Sequence, residues 1–158
     1  MSDEHKRQEA DLLQLVTFSI GDEEFGVEIL KVQEIIRMLE ITKVPKAPPF
    51  VEGVINLRGK VIPILDLRKR FGLDSRSHDK NTRIIVIEIS SMIVGFIVDS
   101  VSEVLRLPAN TVEPPPPVVA GLDSDYISGV GKLEDRLLIM LDLNRLLSNE
   151  EQEKLGRV

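Results

Sequence analysis

The chain carries one hydrophobic pattern twice, and this duplication constrains its fold more than any other feature. Leu15 to Met38 (LVTFSIGDEEFGVEILKVQEIIRM) lies over Ile84 to Leu107 (IIVIEISSMIVGFIVDSVSEVLRL) at one constant offset. Ile20 falls on Ile89, Gly26 on Gly95, Val32 on Val101, Glu34 on Glu103 and Arg37 on Arg106. A second block, Gly53 to Phe71 (GVINLRGKVIPILDLRKRF), lies over Gly129 to Leu147 (GVGKLEDRLLIMLDLNRLL). Leu57 meets Leu133 there, and Leu65-Asp66-Leu67 meets Leu141-Asp142-Leu143. The second offset is longer by seven residues, which places an insertion in Val112 to Asp125, around the four consecutive prolines Pro114 to Pro117. Two related units in 158 residues leave each with a core too small to stand alone, so the halves are expected to lean on one another.

Both units read as β-structure. Leu13 to Ile20 and Ile84 to Ile89 are rich in β-branched and large apolar residues. Each is followed by a polar turn, Gly21-Asp22-Glu23-Glu24 or Ser90-Ser91, and a second apolar run, as a hairpin requires. Val54 to Leu57 and Val61 to Leu65 flank Arg58-Gly59, a two-residue turn, while Leu133 and Leu137 flank Glu134-Asp135-Arg136. The runs are continuously apolar rather than alternating, which implies strands covered on both faces. Small closed barrels packed together meet that requirement. Pro63 points to an edge or bulge position, because proline cannot donate to a ladder. Asp66 and Asp142 precede short amphipathic stretches, Leu67 to Phe71 and Leu143 to Leu147, and are expected to cap them. Ser148-Asn149-Glu150-Glu151 has capping-box spacing and predicts a final solvent-facing helix to about Leu155. Within Val27 to Leu39, apolar residues at Ile29, Val32, Ile36 and Leu39 suggest a short helical turn leading into a strand, with apolar surface left for a binding patch.

The composition argues against several kinds of chemistry. With no cysteine, disulfides, thiolate metal sites and cysteine nucleophiles are excluded. His5 and His78 stand in polar segments and read as solvated residues, and the carboxylates do not group into ligand patterns, so neither a metal nor a cofactor is expected. Gly129-Val130-Gly131-Lys132 fails as a phosphate loop because Tyr126 and Leu133 occupy the places of the required glycine and hydroxyl residue. The net charge of −6, with Arg68-Lys69-Arg70 as the longest basic cluster, leaves no large basic face, so nucleic acid is not an expected partner. No apolar run is long enough to span a bilayer and the first residues lack the apolar core of a signal peptide, so no membrane insertion and a cytoplasmic location are expected. Residues 1–11 are expected to be a disordered tail and residues 12–148 the folded domain. Its approximate subdomains are 12–82 and 83–148, with strands free to cross between them, and residues 149–158 form a helix and tail.

Several of these stretches closely resemble the CheW family of bacterial chemotaxis coupling proteins, from about Leu13 to Leu147. They are Gly21 to Val27 (GDEEFGV), Ile29 to Ile35 (ILKVQEI), Phe50 to Gly59 (FVEGVINLRG), Pro63 to Arg68 (PILDLR), Val98 to Val101 (VDSV) and Leu141-Asp142-Leu143. The resemblance implies an all-β fold of two SH3-like five-stranded barrels, with short helices and a C-terminal helix. It also implies a non-catalytic adaptor. Such a protein links the cytoplasmic tips of chemoreceptors (methyl-accepting chemotaxis proteins) to the regulatory domain of the histidine kinase CheA in a ternary array, where receptor state controls autophosphorylation. The receptor-binding positions it implies are Val32, Glu34, Gly53, Arg58, Gly59 and Ile84. Arg83 departs from the small apolar residue of some relatives, and Glu34 has a counterpart in Glu103 that fits a structural role equally well. The resemblance assigns no residue to the kinase. Two other readings stay open at this stage: a coupling domain detached from a larger relative, and a small barrel that binds or transforms a ligand, which would need a polar concave site.

Overall fold

The computed structural model describes residues 12–115 and 126–156. The tail expected over residues 1–11, His5, the last two residues and the Pro116-Pro117 part of the proline run lie outside these described residues. Among the described residues eleven strands run in chain order: β1 (Leu12–Ile20), β2 (Glu23–Glu28), β3 (Val32–Arg37), β4 (Val51–Leu57), β5 (Lys60–Asp66), β6 (Arg83–Ile89), β7 (Met92–Val98), β8 (Ser100–Pro108), β9 (Val112–Glu113), β10 (Ile127–Lys132) and β11 (Leu137–Leu141). Helix α1 is Leu67–Arg70 and helix α2 is Asn149–Leu155. A 3-10 turn at Ile29–Lys31 leads into β3, and another at Leu143–Arg145 takes the place of α1 in the second copy.

The strands form a six-stranded sheet in the order β8-β1-β2-β11-β10-β9 and a five-stranded sheet in the order β3-β6-β7-β5-β4. Neither sheet is confined to one half of the chain. The first hairpin of each copy, β1-β2 or β6-β7, lies in the sheet built from the rest of the other copy. The duplication is visible in the register. Ile64 pairs with Gly95 in the parallel β5/β7 contact as Met140 pairs with Gly26 in β11/β2. Val32 faces Ile87 as Val101 faces Phe18. Equivalent bulges interrupt β4/β5 at Glu52 and β10/β11 at Ser128. The sixth strand is the two-residue β9, whose counterpart is the single bridge between Thr42 and Val54.

Three apolar cores explain the continuous hydrophobic runs. Ile55, Ile62, Ile64, Ile84, Val86 and Ile97 fill the five-stranded sheet, and Leu15, Leu107, Leu138 and Met140 fill the six-stranded one. The largest core lies between them and takes Val16, Phe18, Phe25, Ile85, Ile87, Val94 and Phe96. Alternate residues of β6 therefore enter different cores, so both faces of the strand are buried. Through the shared core runs an aromatic stack, Phe18, Phe25, Phe71 and Tyr126, with successive ring centroids 5.7, 5.1 and 5.5 Å apart.

Pro63 is not on an edge strand, for β5 lies between β7 and β4. Val54, its partner, directs its N–H and C=O to Thr42, so Val54 and Pro63 form a non-hydrogen-bonded pair. The proline nitrogen thus faces β7, whose ladder with β5 begins only at Ile64. The caps form as their sequences suggest: Asp66 accepts from Arg68 N–H at 2.9 Å, Asp142 from Asn144 N–H at 3.1 Å, and Ser148 with Glu151 completes a capping box. Helix α2 is more than a solvated appendage, since Leu155 is buried in the shared core.

Candidate functional site

Edge strand β3 and the β4–β5 turn bring two charged side chains together on the rim of the five-stranded sheet. A bulge between Val32 and Glu34 interrupts the β3 ladder at Gln33. In the turn, Arg58 and Gly59 both have positive φ, 52° and 86°, and the Asn56 side chain accepts from Gly59 N–H at 2.9 Å. Arg58 donates two parallel hydrogen bonds to Glu34, Nη1 to Oε1 at 2.8 Å and Nη2 to Oε2 at 2.5 Å. The bond from Arg58 holds the Glu34 carboxyl below its usual range, and Glu34 raises Arg58 in turn. Arg58 is 69% exposed, so the pair adds little to stability and is open to a competing partner.

The other sheet repeats the arrangement with different charge. Arg136, in the β10–β11 turn, donates to Glu103 on β8 at 3.1 Å, to Glu24 at 2.7 Å and to Asp135 at 3.0 Å. Exposed aliphatic residues recur at matching positions, with Ile35 and Val61 in the first copy and Val104 and Leu137 in the second. Glu34 and Glu103 are thus the same scaffold element, a carboxylate held by an arginine of the facing turn. Where the first rim carries Arg58-Gly59, the second carries Glu134-Asp135.

The structure places the six residues implied by resemblance in two groups. Glu34, Arg58 and Gly59 share the exposed rim, and Val32 is half-buried on the same strand against the shared core. Gly53 is buried, and a Cβ there would overlap the Thr42 carbonyl oxygen and come within 2.6 Å of Ile41 Cγ2, so its role is to let the chain cross β4 closely. Ile84 is 0% exposed inside the five-stranded core and has no surface to offer a partner. It must be removed from the list of direct contacts. The Arg83 guanidinium turns back onto the carbonyls of Lys80 and Thr82, at 2.8 and 2.9 Å.

The basic cluster is internally neutralised: Arg68 binds Asp99, Lys69 binds Glu52 and Arg70 binds Glu151. Sequence reasoning found the cluster but not its partners, which are up to 81 residues away. Among the described residues no group of three or more histidines, cysteines, aspartates or glutamates could hold a metal ion, and no helix is long and apolar enough to cross a membrane. His78 is exposed. What these rims offer chemically is charge, hydrogen bonds and aliphatic surface to another macromolecule.

Two curled sheets with a shared core and ion-paired rims form a frame whose exposed features suit binding. The chain matches the CheW-like domain over residues 14–151. It is 41% identical over 145 residues to the chemotaxis protein CheW of Klebsiella aerogenes, covering 92% of this chain and 87% of that one. With the chemotaxis protein CheW of Thermotoga maritima it shares 34% identity, over 85% of this chain and 87% of the relative. The crystal structure of the scaffolding protein TtCheW from Thermoanaerobacter tengcongensis superposes with a TM-score of 0.80 and 43% identity, covering 86% of this chain and 92% of that one. The chain belongs to the CheW family, and it is a chemotaxis coupling adaptor rather than an enzyme.

Proposed function

We propose that this adaptor works in the cytoplasm, joining the cytoplasmic tip of a methyl-accepting chemoreceptor to the regulatory domain of the histidine kinase CheA, so that receptor state controls kinase autophosphorylation. The receptor side is assigned to the five-stranded rim, with Arg58 and Gly59 exposed, Glu34 half-buried against Arg58 and Val32 behind them. In this reading Arg58 and Glu34 make polar contacts at the edge of an apolar stripe on a receptor helix, and Ile35 and Val61 supply aliphatic surface beside them. Gly53 and Ile84 act by holding β4 and β6 in place beneath the rim.

The observation that carries the proposal is the pair of equivalent rims with unlike charge, Arg58-Gly59 on one and Glu134-Asp135 on the other. A bridge between different partners needs two related but distinguishable surfaces. Pull-downs with a receptor-tip fragment and a kinase regulatory domain, separately and together, test it. Retention of each fragment alone and of both at once is expected, whereas failure to retain either one overturns the reading.

A further inference from the structure

The two sheets meet through an apolar core, whose driving force is non-directional, so directional contacts are what can distinguish one side of the junction from the other. Apart from Ser90 Oγ, which donates to Gln152 Oε1 of α2 at 2.8 Å, and Gln152 Nε2, which donates to the Asn144 carbonyl at 3.3 Å, the directional contacts between the sheets lie on the side of α1 among the described residues. Asp99 is the single residue at which the chain passes from β7 in the five-stranded sheet to β8 in the six-stranded one. Its carboxylate receives Arg68 Nε at 2.9 Å and Arg68 Nη2 at 2.6 Å, and also Gly21 N–H at 2.8 Å from the β1–β2 turn. Its own N–H donates to the Ser19 carbonyl at 3.1 Å. Two residues further along α1, Arg70 grips Glu151 of α2 through two bonds of 2.7 Å. Helix α1 continues from β5 of the five-stranded sheet, whereas Gly21 and α2 belong to or follow strands of the six-stranded one. Both arginine pairs are therefore bidentate and shielded, at 16%/14% and 28%/21% exposure, which gives them a fixed geometry and weak screening by salt.

The duplication supplies an internal comparison. In the repeat, Asp99 corresponds to Leu30, Arg68 to Asn144 and Arg70 to Leu146. None of the three can form an ion pair, and Leu30 is 93% exposed on the 3-10 turn that makes the reverse crossing from β2 to β3. A cleft of about 210 Å³ lies at that position, lined by Glu28, Lys31, Glu88 and Asn144 among others. The matching recess beside α1, about 270 Å³, has Lys69 and Arg70 in its wall, and both are tied down.

We infer that, among the described residues, ion pairs bolt the two sheets on one side only: α1, through Arg68–Asp99 and Arg70–Glu151, is the fixed pivot between them, and the Leu30–Asn144 side, held by neutral bonds alone, is the side that gives. This concerns the free protein and holds whichever partners it binds. Because the chain has no cysteine, spin labels at Lys60→Cys on the five-stranded sheet and Glu134→Cys on the six-stranded sheet report the angle without background. A single narrow distance distribution is expected for the otherwise unaltered protein, with its width at least about doubled in Asp99→Asn and in Arg70→Gln, while Leu30→Ser leaves it unchanged. Wild-type width in folded Asp99→Asn combined with Arg70→Gln overturns the inference. Arg68→Lys, which keeps the charge and loses the fork, serves as second variant if the first set fails to fold, and wild-type width there overturns it equally. Amide exchange of the unaltered protein gives a third reading: Gly21 and Asp99 N–H should exchange as slowly as the core of β6, and exchange at the rate of an open turn overturns the pivot.

Discussion

Arg58 and Glu34 join the β4–β5 turn to edge strand β3 by two parallel hydrogen bonds, whereas in the other sheet Arg136 reaches Glu103 through a single bond of 3.1 Å and divides its remaining donors between Glu24 and Asp135. A carboxylate met by an arginine of the facing turn in both sheets belongs to the scaffold, although the arginine comes from different turn positions, and the recognition role proposed for Arg58 would be a second one.

Reversing the charge separates these roles. Arg58→Glu places two carboxylates side by side on an open rim, where water screens them, so the melting temperature should move little. Affinity for a receptor-tip fragment should fall by about tenfold or more, in the range of an interface hot spot, with kinase binding unchanged. Titration calorimetry beside a thermal melt reads both. Undiminished receptor affinity in the folded variant removes Arg58 from the site.

The two glycines of the candidate site should part company. A methyl group at Gly53 meets Thr42 and Ile41, so Gly53→Ala should cost about 1–3 kcal/mol, the usual range for overpacking. At Gly59 the added methyl meets nothing within 4 Å and only the positive φ opposes it, at roughly 1–2 kcal/mol. Urea unfolding ranks the two, and an equal or inverted ranking contradicts the close crossing at Thr42.

Ile84 acts from within. Ile84→Ala leaves a cavity in the five-stranded core and should destabilise by about 2–5 kcal/mol, whereas receptor affinity of the fraction that stays folded should be unchanged at low temperature. A loss of affinity with stability intact is the opposite result.

Two aspartates should respond to pH in opposite senses. Arg68 holds the Asp99 carboxyl below its usual range against the opposing effect of burial. Its stabilisation is present above the unfolded pKa of about 4 and is lost as pH falls through the folded value. Asp99→Asn should therefore cost about 1–2 kcal/mol at pH 7, allowing for the solvent that still reaches the pair, and almost nothing in strong acid. Asp66 is raised instead, chiefly by burial, so its ionisation works against the fold once pH exceeds the unfolded value. Asp66→Asn keeps an acceptor for the cap and should be more stable than the parent at pH 7, the difference closing in acid. Urea midpoints across pH 2.5–7, a window set from about 1.5 units below to 3 above the ordinary Asp value, show whether the two curves diverge.

Local structure was legible where local chemistry decides it. The hairpins, both aspartate caps, the capping box at Ser148 and the turn before β3 all follow from adjacent residues, and the burial of β6 on both faces follows from its unbroken apolar run. The exchange of hairpins was not legible. Superposing the repeats equates β1 with β6 but is silent on which sheet receives each, because the parallel contacts of β2 with β11 and β7 with β5 are made over long separations. Pro63 misled for a related reason: a proline is tolerated inside a sheet where its nitrogen faces an unpaired stretch of the neighbour, and only the offset between β5 and β7 shows that stretch. Among the site residues, Glu34 and Glu103 carried a usable signal, a carboxylate repeated opposite an arginine-bearing turn. Asp99 carried none, since the arginines that hold it, Arg68 and Arg76, lie 31 and 23 residues away.

The exchanged hairpins also set the smallest unit that can close. A single copy of the repeat has its first hairpin in one sheet and its remaining strands in the other, so cutting the chain near residue 82 leaves two fragments that each lack the middle of a sheet. Two copies interlock as the subunits of a swapped dimer do, with the covalent link at the 71–82 connection. A symmetric pair of identical chains would present the same rim at both ends. Fused into one chain, the copies are free to differ, and the molecule acquires a polarity that an interlocked homodimer lacks.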